Sequence, residues 1–430
     1  MRLLHTEKLE LTSFLGEERP KYAILSHTWG DPEDEILLGD VQSGRSRLLA
    51  CGKPGLPKLL KAAEVARDSG LEYIWIDTCC IDKSSSAELS EAINSMFAWY
   101  ASSTVCYAYI SDFESTDPDL LSNSNRWFTR GWTLQELIAP PVVEFYNKDW
   151  ISFGNRESLR SELSSITGIE ALVFVWHLPS QCSLALSEEE SGCDLCHVDL
   201  AEMLDSFSVA TRMSWAARRR TTRPEDAAYS LLGLFHVNMP LLYGEGQNAF
   251  QRLQHEIIRK STDQSILTFT VKRDHLMSAR FRLGNPLHFL FAGSPSWFEP
   301  GLQPPLTDKN FRPGTPILLL SSGIQLEVHI APCTSHPHFS IAVLSCSSKA
   351  DALSSPALIL WEVSRSTTIR SFKRMWIVPR EECPEALVFH VNAGTGIVRG
   401  QSLSGEWKMQ VKLLLPPHPG LWLVDCKHVR

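Results

Sequence analysis

Residues 22–30, YAILSHTWG, run through four apolar side chains and then turn abruptly polar at Ser26 and His27. The stretch 73–82, YIWIDTCCID, does the same, with Asp77 closing the apolar run. Short, near-continuous apolar runs of this kind read as strands buried on both faces, the form that strands take in a parallel sheet. Between the two lies PKLLKAAEVARDSG (57–70), which places Leu59, Ala63 and Ala66 on one helical face and Gly70 where the helix should stop. Strand, helix and strand make one βαβ unit. A second follows: Ser85 and Glu88 have capping-box spacing ahead of a helical stripe of Leu89, Ile93, Met96, Phe97 and Tyr100, and strands are expected at 105–110 and 142–146. Residues 1–150 therefore predict an α/β layer with a largely parallel sheet and flanking helices.

Further along, the pattern changes twice. Residues 151–264 read as mainly helical, with Thr222, Pro224 and Glu225 opening a helix through DAAYSLLGLF and a further helix carrying Phe250, Leu253, Ile257 and Ile258. Residues 180–199 are rich in Ser, Glu and Cys and read as an exposed insertion. From 265 to 430 fifteen of the 25 prolines interrupt short β-type runs, which excludes long helices and predicts a separate β-rich domain, sandwich or barrel-like.

Composition narrows the function. With 430 residues and 43% hydrophobic content the chain can bury substantial cores, which excludes disorder or a fibrous repeat. Its 41 basic against 49 acidic residues, a net charge of −8, argue against a dedicated nucleic-acid binder. No apolar run approaches the roughly 18 residues needed to cross a bilayer, and Glu7 and Glu10 interrupt the place where a secretory signal would stay apolar. A cytoplasmic protein without a membrane span is the expectation, and eleven cysteines suit buried thiols in a reducing compartment.

Three clusters concentrate the chemistry: 22–30, 73–82 and RWFTRGWTLQELIAP at 126–140. Strand carboxyl ends in a parallel sheet converge on one crevice, so Ser26, His27, Asp77 and Asp82 are candidates for a shared site, with capping of strand ends as the plainer alternative. Glu136, beside Trp132 and Arg130, has the character of an acid/base or charge-stabilising carboxylate. Thr133 and Glu136 also fit a capping box, in which the glutamate only returns to the Thr133 amide. Cys193, Cys196 and His197, with Cys182, make half a zinc site at best, and the expectation is a surface loop with no metal at the functional site. Gly244, Gly246 and Ala249 match G-x-G-x-x-A, but Pro240 lies in the stretch before them, which favours a tight turn over a dinucleotide fingerprint. Arg218–Arg220 read as a solvated helix end able to grip phosphate. No nucleophile elbow, phosphate loop or zinc helix occurs.

Taken in order, YAILSHTWG, YIWIDTCCID and RGWTLQELIAP resemble the three signature blocks of the heterokaryon-incompatibility (HET) domain of filamentous fungi, and residues 224–266 look like the segment that follows this domain in many relatives. The resemblance covers roughly residues 1 to 270. It implies an effector of non-self recognition that triggers programmed cell death. The HET domain is in turn similar, remotely, to the flavodoxin-like TIR domain, several of whose members cleave NAD with a glutamate from a W-C-L-x-E-L block. Here WTLQEL (132–137) is similar to that block, with Thr133 in place of its cysteine. The resemblance thus implies a catalytic Glu136, a substrate pocket lined by Ser26, His27, Trp29, Asp77, Asp82, Arg130 and Trp132, and NAD or NADP as substrate with no cofactor. It also implies activation by self-association or a recognition partner. The competing reading is a non-catalytic signalling or oligomerisation module that relays recognition to a separate executioner.

Overall fold

The computed structural model describes residues 1–16, 18–176, 199–269 and 291–298, and the strands between 306 and 428. The 180–199 insertion, with Cys182, Cys193, Cys196 and His197, falls almost wholly outside the described residues, and all four of those side chains do. The chain forms two compact units, one joining Met1–Leu204 with Arg219–Gly244 and the other joining Asp205–Arg218 with Glu245–Arg430.

The first unit is built on a seven-stranded sheet: β1 (Arg2–His5), β2 (Leu11–Ser13), β3 (Tyr22–His27), β4 (Tyr73–Trp75), β5 (Val105–Tyr109), β6 (Val143–Tyr146) and β7 (Ser152–Asn155), in the order β2-β1-β4-β3-β5-β6-β7. The four strands expected from the apolar runs are parallel to one another, β3 pairing with β4 and β5, and β5 with β6. The sheet as a whole is mixed, because β1, β2 and β7 join its edges antiparallel. All six residues of β3 are buried, as a central strand covered on both faces requires. The strand order reverses at β3: the chain passes to β4 on one side and later to β5 and β6 on the other. In open parallel sheets the crevice at such a reversal, outside the strand carboxyl ends, is where ligands bind.

The crossover helices follow the sequence closely. Helix Leu56–Asp68 starts at a proline in its first turn, buries Leu56, Leu59, Ala62, Ala63 and Ala66, and stops at Gly70, whose φ of 77° suits glycine. Helix Ser86–Ala101 is capped by Ser85, whose hydroxyl accepts from the Glu88 amide at 3.3 Å. The reciprocal bond of the box is replaced: Glu88 instead accepts from the Asp82 amide at 2.8 Å and pairs with Arg2. That helix buries Trp99 and Tyr100 edge-on against Trp75 of β4.

The helix expected through DAAYSLLGLF is shorter than its pattern suggests. It runs only over Asp226–Tyr229, and a 3₁₀ turn, Gly233–Phe235, follows before His236 takes a left-handed φ of 52°. Close packing explains the tight turn: a Cβ at Gly233 would stand 2.1 Å from Cγ of Phe97. Gly233→Ala is therefore expected to cost about 2 kcal/mol, the usual penalty of overpacking, measurable as a lowered denaturant midpoint with unchanged m.

In the second unit helix Asn248–Lys260 buries Ala249, Phe250, Leu253, Gln254, Ile257 and Ile258 along one face. An antiparallel eight-stranded sheet includes Phe339–Val343, Ser354–Arg365 and Gly405–Leu414. Among the described residues no helix is long and apolar enough to cross a membrane.

Candidate functional site

The carboxyl ends of β3 and β4 bring Ser26, His27 and Asp77 to one edge of the sheet, because the strands are parallel and in register. Asp77 follows β4 directly as the first residue of a short helix, Asp77–Cys80. Glu136 arrives from the β5–β6 crossover, on helix Thr133–Ile138, every residue of which is buried.

Glu136 does not act as a cap. The N-cap position is Trp132, with no side-chain cap bond, and the Thr133 hydroxyl donates to the Trp127 and Arg130 carbonyls instead. The Glu136 carboxyl points to β3, where its Oε2 accepts from the Ser26 hydroxyl at 2.5 Å. Ser26 in turn accepts from the Trp127 indole N–H at 2.8 Å, so its single proton is committed to Glu136. Ser26 is fully buried and Glu136 is 7% exposed. Burial raises the Glu136 carboxyl to about 8, against the pull of the Ser26 bond and of Arg130 and Arg219, while the charge of Asp77 pushes the same way as burial. At neutral pH Glu136 is therefore predominantly a neutral acid.

Beside it runs a hydrogen-bonded chain of charged groups. Lys58 Nζ donates to both oxygens of Glu35, at 2.6 and 2.8 Å, and to His27 Nδ1 at 3.0 Å. His27 Nε2 lies 3.0 Å from Asp77 Oδ1, and the Trp29 indole donates to Asp77 Oδ2 at 2.8 Å. Burial and Lys58 hold the His27 pKa down, so the ring is neutral, and the lysine donating to Nδ1 leaves the proton on Nε2, facing Asp77. Burial alone would raise the Asp77 carboxyl, but the His27 hydrogen bond and charges nearby bring it to about 2.

The two carboxyls titrate with opposite consequences for stability. Asp77 contributes stability at neutral pH that is lost as pH falls from about 4 toward 2. Folded Glu136 keeps a proton that the unfolded chain has released above pH 4.5, so its contribution to stability falls as pH rises from 4.5 to about 8. Glu136→Gln is expected to remove a downward slope of up to about 1.4 kcal/mol per pH unit across that window, read by urea unfolding at pH 5, 6, 7 and 8. A slope identical in both proteins would refute the protonated state.

Of the other residues singled out from the sequence, Trp29 joins the cluster through Asp77, and Arg130 lies near it, its guanidinium carbon 5.8 Å from the Trp29 ring centroid. Trp132 turns away, its indole bonded to Asp226. Asp82 also stands outside the bonded cluster: its carboxylate holds the Ser84 amide and hydroxyl in the turn before helix Ser86–Ala101. Lys58, Glu35, Trp127 and Arg219 also belong to the site; Trp127 stood in the 126–140 cluster without being singled out, and Lys58 and Glu35 carried no signal in the sequence. Arg219 had a partial one, as the centre of Arg218–Arg220, yet it is no solvated helix end: its Nη1 donates to the Arg130 carbonyl at 2.9 Å and to Thr133 Oγ1 at 2.8 Å. Gly244 and Gly246, with φ of 104° and 60°, form a turn with no strand before it among the described residues, as the tight-turn reading expects. Among the described residues no three His, Cys, Asp or Glu side chains assemble as a metal site.

An α/β domain with a buried glutamic acid at the reversal point of its sheet is the class of protein that fold and site define. Residues 22–126 match the family Heterokaryon incompatibility protein (HET), so this stretch of the chain carries a HET domain. Over 249 residues the chain is 42% identical to Vegetative incompatibility protein HET-E-1 of Podospora anserina, a match covering 55% of this chain and 16% of that protein. The chain thus spans a small part of the length of that relative. No solved structure matches. Ser26, His27 and Asp77 lie within the family match, and Glu136 just beyond it.

Proposed function

We propose that this chain is an effector of heterokaryon incompatibility whose first unit, on activation, hydrolyses NAD or NADP at the bond to nicotinamide and so triggers programmed cell death. The observation that carries the reading is Glu136, a buried acid with a pKa of about 8 held by Ser26 at the carboxyl edge of the switch strand. Perturbed carboxyls in such a crevice are characteristic of catalytic sites. The order of the parallel strands, second-first-third-fourth, is that of flavodoxin-like sheets and supports a TIR-like ancestry.

NAD carries a cationic nicotinamide ring. Docked near Glu136, that charge favours the carboxylate and drives the proton to solvent. As the C1′–N bond breaks, its electron pair passes to the pyridinium nitrogen, nicotinamide leaves neutral, and the carboxylate stabilises the oxocarbenium-like ribose. Water adds to C1′ and returns a proton to Glu136, leaving ADP-ribose. Ser26 orients the carboxyl throughout, and Trp127 orients Ser26. With Glu136 only 7% exposed the resting site is closed, so self-association or a recognition partner opens it, which suits an activity lethal to its own cell.

The test is nicotinamide release from the purified chain, at concentrations from dilute to self-associating, with NAD, NADP and ATP followed by chromatography. Release from NAD or NADP that rises more than linearly with protein concentration is the expected result. No release, from a chain whose expression still kills cells, would overturn the enzymatic reading in favour of a signalling module.

A further inference from the structure

The protein is acidic overall, and several partly buried cations of the first unit have a carboxylate partner: Arg2 with Glu88, Lys53 with Asp40, Lys58 with Glu35. Three cations gathered around Trp29, and a fourth, Arg219, bonded to the backbone of Arg130, have none. Lys83 Nζ stands 3.5 Å from the Trp29 ring centroid and the Arg130 guanidinium 5.8 Å from it. Arg126 Nη2 donates to the Trp29 carbonyl at 3.1 Å, and Arg219 Nη1 to the Arg130 carbonyl. Among the described residues none of the four forms an ion pair, and Nη2 of Arg219 is buried without any acceptor.

A buried guanidinium N–H without a partner is costly, and Lys83 and Arg130 are close enough to repel one another. The carboxyls at hand relieve them only at a distance, Asp77 attracting Lys83 without an ion pair between them. Asp77 is already shared between His27 and Trp29, and Glu136 holds its carboxyl oxygen to Ser26. What would satisfy the cluster is a ligand with two or more negative charges and several acceptor oxygens. Guanidinium and ammonium groups set side by side suit phosphate oxygens.

We infer that Lys83, Arg126, Arg130 and Arg219 form an anion subsite that takes the pyrophosphate of a dinucleotide, beside Glu136. This deepens the glycohydrolase reading and rests on it for the dinucleotide, but anion binding stands or falls separately. Trp29 then has a definite part: its ring carries Lys83 and Arg130 toward the phosphates by cation–π contact, and its indole ties the cluster to Asp77.

The experiment is isothermal titration of the full-length chain, at the self-associating concentrations that open the site, with ADP-ribose, inorganic pyrophosphate and nicotinamide riboside, in the wild type and in the Glu136→Gln background, where no turnover intervenes. Both phosphorylated probes are expected to bind, with affinity falling steeply as salt rises. The exposed pair Lys83→Gln/Arg126→Gln is expected to weaken ADP-ribose at least about tenfold and to leave nicotinamide riboside unchanged. Arg219→Gln should weaken ADP-ribose by a similar factor, and the surface pair keeps the test valid if that buried variant folds poorly. Failure of ADP-ribose and pyrophosphate to bind, or equal binding by wild type and surface pair, would overturn the subsite. ADP-ribose binding that depends on these residues, without nicotinamide release by the wild type, would retain the subsite and remove the glycohydrolase.

Discussion

Glu136→Gln is expected to release nicotinamide at less than about one-hundredth of the wild-type rate, the usual loss when a preorganised charge at the reacting centre is removed. Glutamine can still bond Ser26 through either amide atom, so the β3 contact survives and the variant should remain folded. What it cannot do is ionise. The oxocarbenium-like ribose then faces a dipole where it would meet a carboxylate. The pH dependence is a second readout of the same group: wild-type kcat/KM should climb with pH and level off above about 8, because it follows ionisation of Glu136 in the free protein. Glutamine abolishes that limb. A rate retained in Glu136→Gln would strip the residue of its catalytic role, since the capping explanation that would make it merely structural has no counterpart in the geometry.

How far the sequence leads depends on whether a feature has a local cause. The parallel strands β3, β4, β5 and β6 are apolar runs bounded by polar residues, and burial on both faces writes itself into composition. Strands β1, β2 and β7 are three or four residues long, only partly buried, and exist because a neighbouring edge offers hydrogen bonds, which no run of residues announces. In the site, Ser26, His27 and Asp77 were legible as polar groups ending apolar strands. Glu136 was legible as a carboxylate but ambiguous as to role, because Thr133 and Glu136 have the spacing of a cap. Only the 110-residue separation between Ser26 and Glu136, closed by the fold, decides it. Lys58, Glu35, Trp127 and Arg219 reach the site by the same long-range closure. Asp82 misled for the opposite reason: an aspartate soon after a strand can serve the next turn as readily as the crevice.

Arg156→Met is expected to be the most damaging single change to the fold of the first unit. Arg156 follows β7, is 1% exposed, and spends its guanidinium on backbone: Nε donates to the Phe174 carbonyl at 3.1 Å, Nη1 to Leu137 and Ile138 at 2.9 and 3.0 Å, and Nη2 to Pro141 at 2.9 Å. Leu137 and Ile138 end helix Thr133–Ile138, whose last carbonyls have no partner within the helix. The arginine is thus the C-terminal cap of the helix that carries Glu136, and its positive charge suits the negative end of the helix dipole. Methionine fills similar space but leaves the buried Leu137 and Phe174 carbonyls and the half-buried Pro141 carbonyl without their donor, while Ile138 keeps the Trp176 indole at 3.2 Å, for a loss of about 4 kcal/mol, taking non-additivity into account. That is a large share of the roughly 5–15 kcal/mol that holds a typical domain together. Chemical denaturation should show the midpoint falling with m unchanged, and Arg156→Lys should recover only part, since an ammonium cannot fork to four acceptors. A cost below 1 kcal/mol would mean that the helix end is satisfied by other means. Because the same helix sets the angle at which Glu136 meets Ser26, folded Arg156→Lys protein should also show a shifted pH limb in kcat/KM, a signature that lost stability alone would not produce.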